Sequence, residues 1–432
     1  MQPSLQGIDV PVKPKGNIRW TVLIFLLLGG VINYLDRANL SIAAPEMIKQ
    51  LHLDNTDIGL MGTVFSWTYA VMQLPAGWLI DRFGAKKIYS VAVLWWSVST
   101  FFTGSCSKMG TFLTWRTLLG IGEAPCFPTS AKLTASWFPR KERSLATGIW
   151  DSSSKWGPAL APPILVSVML AYGWRALFYL TGVIGVIFIL FFMFFYRNPD
   201  KSRKLTPSEM AYIQSDGGGT EENIQTSPIS WGSLFKHRTM WGMILGFFCT
   251  IWIWNIFLNF LPLYLLKAHH VKLASLGIYA SIPWLGGIVG DIFLGGYLSK
   301  KLVDKGLTNA LVAKRSLITI YAILAGIACV IIPYVQSLAL TLTLMTLALA
   351  FISAITGSAW AIPGDVCPQS MVASVGAIQN FGGYFGGAFS PVVAGIIADS
   401  TGSYTLAFVS GGIIAALTAV FYWFMVRKPI AA

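Results

Sequence analysis

An acid and a permanent cation stand side by side, as Asp36 and Arg37, inside the first apolar run of the chain, Gly29-Gly-Val-Ile-Asn-Tyr-Leu-Asp-Arg37. A charge at membrane depth costs roughly 2.5 kcal/mol or more, so such residues face a bundle interior or a watery cavity and mark substrate or ion paths. Arginine offers a planar fork suited to bidentate carboxylate binding and cannot lose its charge. An aspartate can take up and release a proton. The pair therefore reads as an anion site on Arg37 beside a proton site on Asp36. The other reading is an internal ion pair that only holds the helix in place. Tyr34, three residues before Arg37, shares its helix face, while Asp36 points about 100° away.

Three further groups fit that chemistry. Glu123 follows Arg116 by two helical turns on one face, which allows either a structural pair or a proton switch that trades partners. Asp151 and Lys155 are spaced four apart on one helix and can pair; a free Lys155 would instead hold a second negative group of a ligand. In the second half of the chain Asn255, Asn259, Ser358, Trp360, Gln379 and Asn380 lie in apolar runs. Amides and indoles suit hydroxyls along a polyol chain, and helix–helix contacts are their alternative use. Asp291 is alone in its segment, and its expected partners are Lys300 or Lys301.

These residues need elements that hold them inside a membrane. Hydrophobic residues make up 55% of the 432 and charged ones only 11%, against about 25% charged in globular chains. Twelve apolar stretches of roughly 20 residues or more can each cross the ~30 Å hydrocarbon layer as a helix: 18–42, 57–80, 88–107, 109–131, 145–171, 176–197, 239–265, 273–299, 314–335, 338–362, 372–397 and 404–426. The absence of two-residue alternation excludes barrel strands. The net charge of +13 does not point to nucleic acid, because its lysines and arginines fall in alternate connections. By the positive-inside rule both termini are cytoplasmic. The first segment is too long for a cleavable signal and lacks a small-residue cleavage site. Five scattered cysteines and the His269-His270 pair predict neither a disulfide framework nor a metal site.

A polar stretch from Asn198 to Thr239 divides the segments six and six, with Thr206 as the expected cap and Pro207 the first residue of a short helix. The halves echo each other: Gly77-Trp-Leu-Ile-Asp-Arg-Phe-Gly84 in Gly296-Tyr-Leu-Ser-Lys-Lys301, and Gly157-Pro-Ala-Leu-Ala-Pro162 in Gly386-Gly-Ala-Phe-Ser-Pro391. Parallel repeats with a binding site between them near the midplane are a transporter design. The expected organisation is an all-α membrane protein of twelve transmembrane helices, with one six-helix bundle in 1–197, a cytoplasmic loop in 198–238 and a second bundle in 239–432.

The run Gly77-Trp-Leu-Ile-Asp-Arg-Phe-Gly-Ala-Lys-Lys87 resembles the loop 2–3 signature of the major facilitator superfamily. Asn33-Tyr-Leu-Asp-Arg-Ala-Asn-Leu40, Gly122-Glu-Ala-Pro125 and Ser136-Trp-Phe-Pro-Arg-Lys-Glu-Arg143 resemble its anion:cation symporter branch, and the likeness to sugar-acid carriers such as those for L-galactonate runs nearly end to end. The resemblance implies substrate contacts from Tyr34, Arg37, Tyr69 and Asn380, with Ser154, Lys155 and Trp360 as further candidates. It implies proton coupling through Asp36 and Glu123, with Arg116 as partner, and gating by Asp81 and Arg82. Carriers of aldonates in this branch can have a glutamine where this chain has Ser154.

The function expected is proton-coupled uptake of a small organic anion, such as galactonate or a hexuronate, across a bacterial inner membrane. The carrier is expected to be a monomer with no cofactor other than the proton, no metal and no nucleic-acid partner. Alternatives are carriage of a short sulfonate or a dicarboxylate, organophosphate/phosphate exchange, which would call for an arginine in the seventh segment, and a transport-fold sensor. No phosphate-binding loop or catalytic set is present to support ATP drive or enzymatic activity.

Overall fold

The computed structural model describes residues 16–53, 55–219, 231–401 and 405–430. Among the described residues there is no strand, and the chain forms α1 (Ile18–Leu51), α2 (Asn55–Phe83), α3 (Ala85–Thr103), α4 (Met109–Glu123), α5 (Cys126–Trp137), α6 (Arg140–Asp151), α7 (Ser153–Tyr172) and α8 (Trp174–Phe195). After the short α9 (Pro207–Gln214) and α10 (Trp231–Leu234) come α11 (Arg238–Ala268), α12 (Leu273–Val289), a π-helical stretch Gly290–Leu298, α13 (Ser299–Asp304), α14 (Ala310–Ile331), α15 (Leu338–Ala361), α16 (Pro363–Val366), α17 (Val372–Thr401) and α18 (Thr405–Met425). These make twelve long paths among the described residues, each following one expected span. Seven helices qualify as membrane-crossing on length and hydropathy by themselves.

The departures from unbroken spans have local causes, and they fall at the residues of interest. Expected as one helix, 109–131 divides into α4 and α5 because Pro125 has no N–H to continue the ladder, and Glu123 becomes the last residue of α4. The span expected at 145–171 divides at Ser152, between Asp151 and Ser153. The span at 273–299 changes to π geometry at Gly290, next to Asp291; π-bulges gather at functional sites. In α9 the cap forms as expected, with Thr206 Oγ1 accepting from the Glu209 N–H at 3.2 Å and Pro207 first in the helix.

Across the interface between the halves, α17 packs on α2 and α5, α6 on the π-helical stretch and α15, and α7 on α12. Two glycines permit the closest approaches. A Cβ on Gly77 would lie 2.6 Å from Ala377 Cβ, and one on Gly148 only 2.2 Å from the Asp291 carbonyl oxygen.

One buried apolar cluster runs through both halves at the end where α2 stops and α3 begins, joining Leu23, Trp137 and Phe138 to Val372 and Tyr422. Toward the opposite end it gives way to two separate clusters, around Met47, Phe112 and Trp174 on one side and Phe257, Trp284 and Phe408 on the other. The halves thus share a core at the basic end and part above it. Outward-facing side chains such as Val91, Leu190, Phe194, Ile320 and Ile413 are large, apolar and exposed, as a lipid-facing surface requires.

Candidate functional site

A cavity of about 530 Å³ lies where the halves part, and Ser41, Ser66 and Leu258 at its rim are exposed. Tyr34, Arg37, Tyr69, Ser154, Lys155, Trp360 and Asn380 all line it, as do Asp151, Phe127, Asn255, Thr356 and Tyr384.

Arg37 sits on one wall. Its Nε donates to Glu123 Oε2 at 2.8 Å and its Nη1 to the Tyr384 hydroxyl at 2.5 Å. The guanidinium lies 4.9 Å from the Tyr34 ring centre, 4.5 Å from Tyr69 and 5.2 Å from Phe65, a cation–π setting that holds it without neutralising it. Nη2 is buried and meets no hydrogen-bond acceptor within bonding geometry among the described residues, so its donor capacity is not taken up by a carboxylate. Asn380 Nδ2 approaches the Tyr69 hydroxyl at 3.4 Å from the other half. Trp360 packs against Phe127, Trp150 and Phe247 with centroids 5.6 to 5.8 Å apart.

Glu123 takes Arg37 as its partner, not Arg116. Seven residues separate Arg116 from Glu123, about 10 Å of helical rise; the Arg116 guanidinium lies over Phe65 at 5.1 Å and acts on Glu123 and Asp36 only through its charge. Asp36 is 1% exposed and faces away from the cavity, in a pocket with Arg116, Glu123 and the hydroxyls of Thr100 and Thr181. The two neighbours thus serve different places, Arg37 the cavity and Asp36 the interior of the first half.

Lys155 is bound rather than free. Its Nζ lies 2.9 Å from Asp151 Oδ2, 2.5 Å from Asp291 Oδ2 and 3.1 Å from Thr356 Oγ1. Asp291 therefore pairs across the halves with Lys155, not with Lys300 or Lys301; the π-helical stretch turns it inward, while Lys300 pairs with Asp304. Ser154 gives its hydroxyl to the carbonyl of Asp151, the last residue of α6, at 2.8 Å.

Gln379 and Ser358 donate to Ala359 O and Gly295 O and do not line the cavity, so they join helices instead. Asn255 does line it, with Nδ2 bonded to Ile251 O. The Asn259 side chain lies outside the described residues. Among the described residues no cluster could hold a metal, and the five cysteines are unpaired. Sequence reasoning missed Tyr384, Phe127 and Thr356. Tyr384 had a readable signal, four residues beyond Asn380 and so on the same face of α17.

The basic end is closed by polar contacts across the halves. Asp81 pairs with Lys132 at 2.9 Å and accepts from the backbone N–H groups of Ala373 at 3.3 Å and Ser374 at 2.7 Å. Those N–H groups open α17 and have no partner within their own helix, so an acid of one half caps a helix of the other. Arg143 donates to Gly364 O across the halves, and Gln369 of the second half donates to Gly217 O of the central segment at 2.8 Å. Arg82 stays outside this closure. It is exposed and lies over Trp78 and Phe83 at 5.0 and 5.7 Å.

Comparison with known proteins follows the geometry. Residues 26–390 match the family model described as Major Facilitator Superfamily. The chain is 35% identical over 439 aligned positions to the "Probable L-galactonate transporter" of Escherichia coli (strain K12), covering 98% of this chain and 94% of the relative. It is 32% identical to a "Probable galactarate/D-glucarate transporter" of the same organism, covering 96% and 97%. Among solved structures it superposes with a TM-score of 0.74 on a proton:xylose symporter of the same superfamily at 14% identity, covering 95% of this chain and 96% of that one. Twelve helical paths around a cavity between two halves, together with a family match over most of the length, place this chain in the major facilitator superfamily of membrane transporters.

Proposed function

We propose that this transporter is a proton-coupled symporter that takes up a small organic anion, a sugar acid of the galactonate type. The observation that carries the reading is Arg37, a permanent cation lining the cavity whose carboxylate partner among the described residues is the buried acid Glu123. An incoming carboxylate competes with Glu123 for the guanidinium, and a proton on Glu123 removes the competitor. Asp36, behind it, is the second proton acceptor. No cofactor other than the proton is needed.

The basic end is the cytoplasmic side of a bacterial inner membrane by the positive-inside rule, so both termini are cytoplasmic and the described conformation opens outward. Residues 1–197 and 239–432 act as the two rocking units, joined by the 198–238 loop, and the carrier works as a monomer. Loss of the Asp81 contacts at α17 accompanies opening to the inside.

Relatives named for L-galactonate and for galactarate/D-glucarate support the sugar-acid class. The anchoring of Lys155 by two carboxylates favours monoanionic aldonates over dianions, because the second charge of an aldarate or of a sulfonate bearing a carboxylate finds no free cation there. The test is a thermal-shift and uptake screen of the purified protein over aldonates, hexuronates, aldarates and short sulfonates. Stabilisation and uptake by monoanionic sugar acids, lost in Arg37→Gln, is the expected result. A preference for dianions, or ligand binding unchanged in Arg37→Gln, overturns it.

A further inference from the structure

Around the cavity the described residues place three cations, Arg37, Arg116 and Lys155, against four carboxylates, Asp36, Glu123, Asp151 and Asp291. All but Arg37 are 3% exposed or less. With every group ionised, the region holds an excess negative charge before any anion arrives. A buried charge left uncompensated is strongly destabilising. The surplus can be traced to one place. Arg37 has Glu123 and Arg116 lies near Asp36, but Lys155 is shared by Asp151 and Asp291.

The surroundings of Asp291 single it out. It is 0% exposed, and its Oδ1 accepts no hydrogen bond among the described residues. Glycines close around it: a Cβ on Gly357 would lie 2.7 Å from that Oδ1, and Gly148 of the first half abuts its backbone. Ser353 Oγ, beside Gly287 and the Lys155 stem, is likewise buried without a partner. The elements packed on the π-helical stretch bring to Asp291 the charges of Asp151 from α6 and Lys155 from α7. From α15 comes Thr356, whose hydroxyl donates to Asp151 at 2.8 Å. Tyr321 of α14 donates to the Leu294 carbonyl instead, and Lys300 and Asp304 of α13 pair with each other.

We propose that Asp291, with Asp151 and Lys155, forms a further proton-binding site, shared by the two halves and separate from the Asp36–Glu123 region. The site deepens the symport reading, since a proton here brings the region to charge balance and weakens the ion pair that joins α7 to the π-helical stretch. Asp151 keeps Lys155 satisfied when Asp291 is neutral, so releasing the second half does not strand a buried ammonium.

The test is infrared difference spectroscopy of the full-length protein in lipid nanodiscs between acidic and alkaline pH, without substrate. A carbonyl band of a protonated buried carboxyl should titrate in the wild type. It should be lost in Asp291→Asn and remain in Asp36→Asn and Glu123→Gln. Identical spectra for the wild type and Asp291→Asn overturn the proposal. Should Asp291→Asn fail to fold, Asp291→Glu serves: a titrating band at a displaced frequency supports the site, and a spectrum identical to the wild type refutes it. Because no substrate is present, the result stands apart from the uptake screen, whose failure would refute the symport reading alone.

Discussion

Arg37 Nε and Glu123 Oε2 meet at 2.8 Å although 86 residues separate them in the chain. The contact joins the last residue of α4 to the wall of α1. On the proposed function, substrate cation and proton acceptor are one bonded pair, and the chemistry of symport reduces to which anion holds the guanidinium.

Glu123→Gln should separate binding from coupling. With the competing carboxylate gone, Arg37 loses a charge-assisted bond worth about 1.5–3 kcal/mol, and the binding of galactonate should tighten by roughly tenfold or more. Counterflow should persist while accumulation driven by a proton gradient disappears. Titration calorimetry paired with counterflow in liposomes measures both, and weaker binding in the Gln variant would contradict the competition.

Asp81→Ala should open the basic end. It removes the cap on the first N–H groups of α17 and takes from Lys132 its carboxylate partner, leaving the Gln369 carbonyl as acceptor, and the loss of even one such bond moves the conformer ratio by about tenfold. Spin labels on the facing ends of α2 and α17 should report longer distances by electron double resonance. Gly148→Ala should shift the same equilibrium the same way, since its new Cβ would run into the Asp291 carbonyl. Arg82→Ala, with no bond to lose in the closure, should leave the distances unchanged.

The central segment is fastened to the first half by Arg19, whose Nε and Nη1 meet Glu142 and Glu209 at 2.9 Å each. Breaking a buried pair by removing one partner costs about 3–5 kcal/mol, so Arg19→Ala should lower the thermal stability of the purified protein clearly and Glu209→Gln should follow. Tyr212 also donates to Glu142, at 2.9 Å. Its phenol is pushed up by burial first and then by the Glu142 carboxylate. Stabilisation from a raised phenol is fully present below the ordinary phenol range and is lost as pH rises through the folded value. The stability lost in Tyr212→Phe should therefore be the same from mildly acid to mildly alkaline pH and shrink only in strong alkali. A dependence near neutrality would point elsewhere.

Much of this was legible in the sequence for physical reasons. Apolar length gave the twelve paths, and the Asp36–Arg37 step led to the cavity wall through Arg37 because ionised groups in apolar runs need a purpose. The partners were harder to read. Nothing local tells that Asp291 would reach Lys155, because that contact depends on a π-helical turn and on glycines in three separate helices. Arg116 and Glu123 share a face by periodicity, yet two turns of helical rise hold them apart and the acid finds Arg37 of another helix. Tyr384 passed unnoticed because an aromatic residue in an apolar run is ordinary until its hydroxyl is seen on the guanidinium.

The most direct measurement is uptake of radiolabelled L-galactonate into proteoliposomes under an inward proton gradient, for the wild type and for Asp36→Asn. The account predicts accumulation above the external concentration in the wild type, its collapse with a protonophore, and only equilibration through Asp36→Asn. Accumulation by Asp36→Asn equal to the wild type, or wild-type uptake indifferent to the gradient, would contradict it.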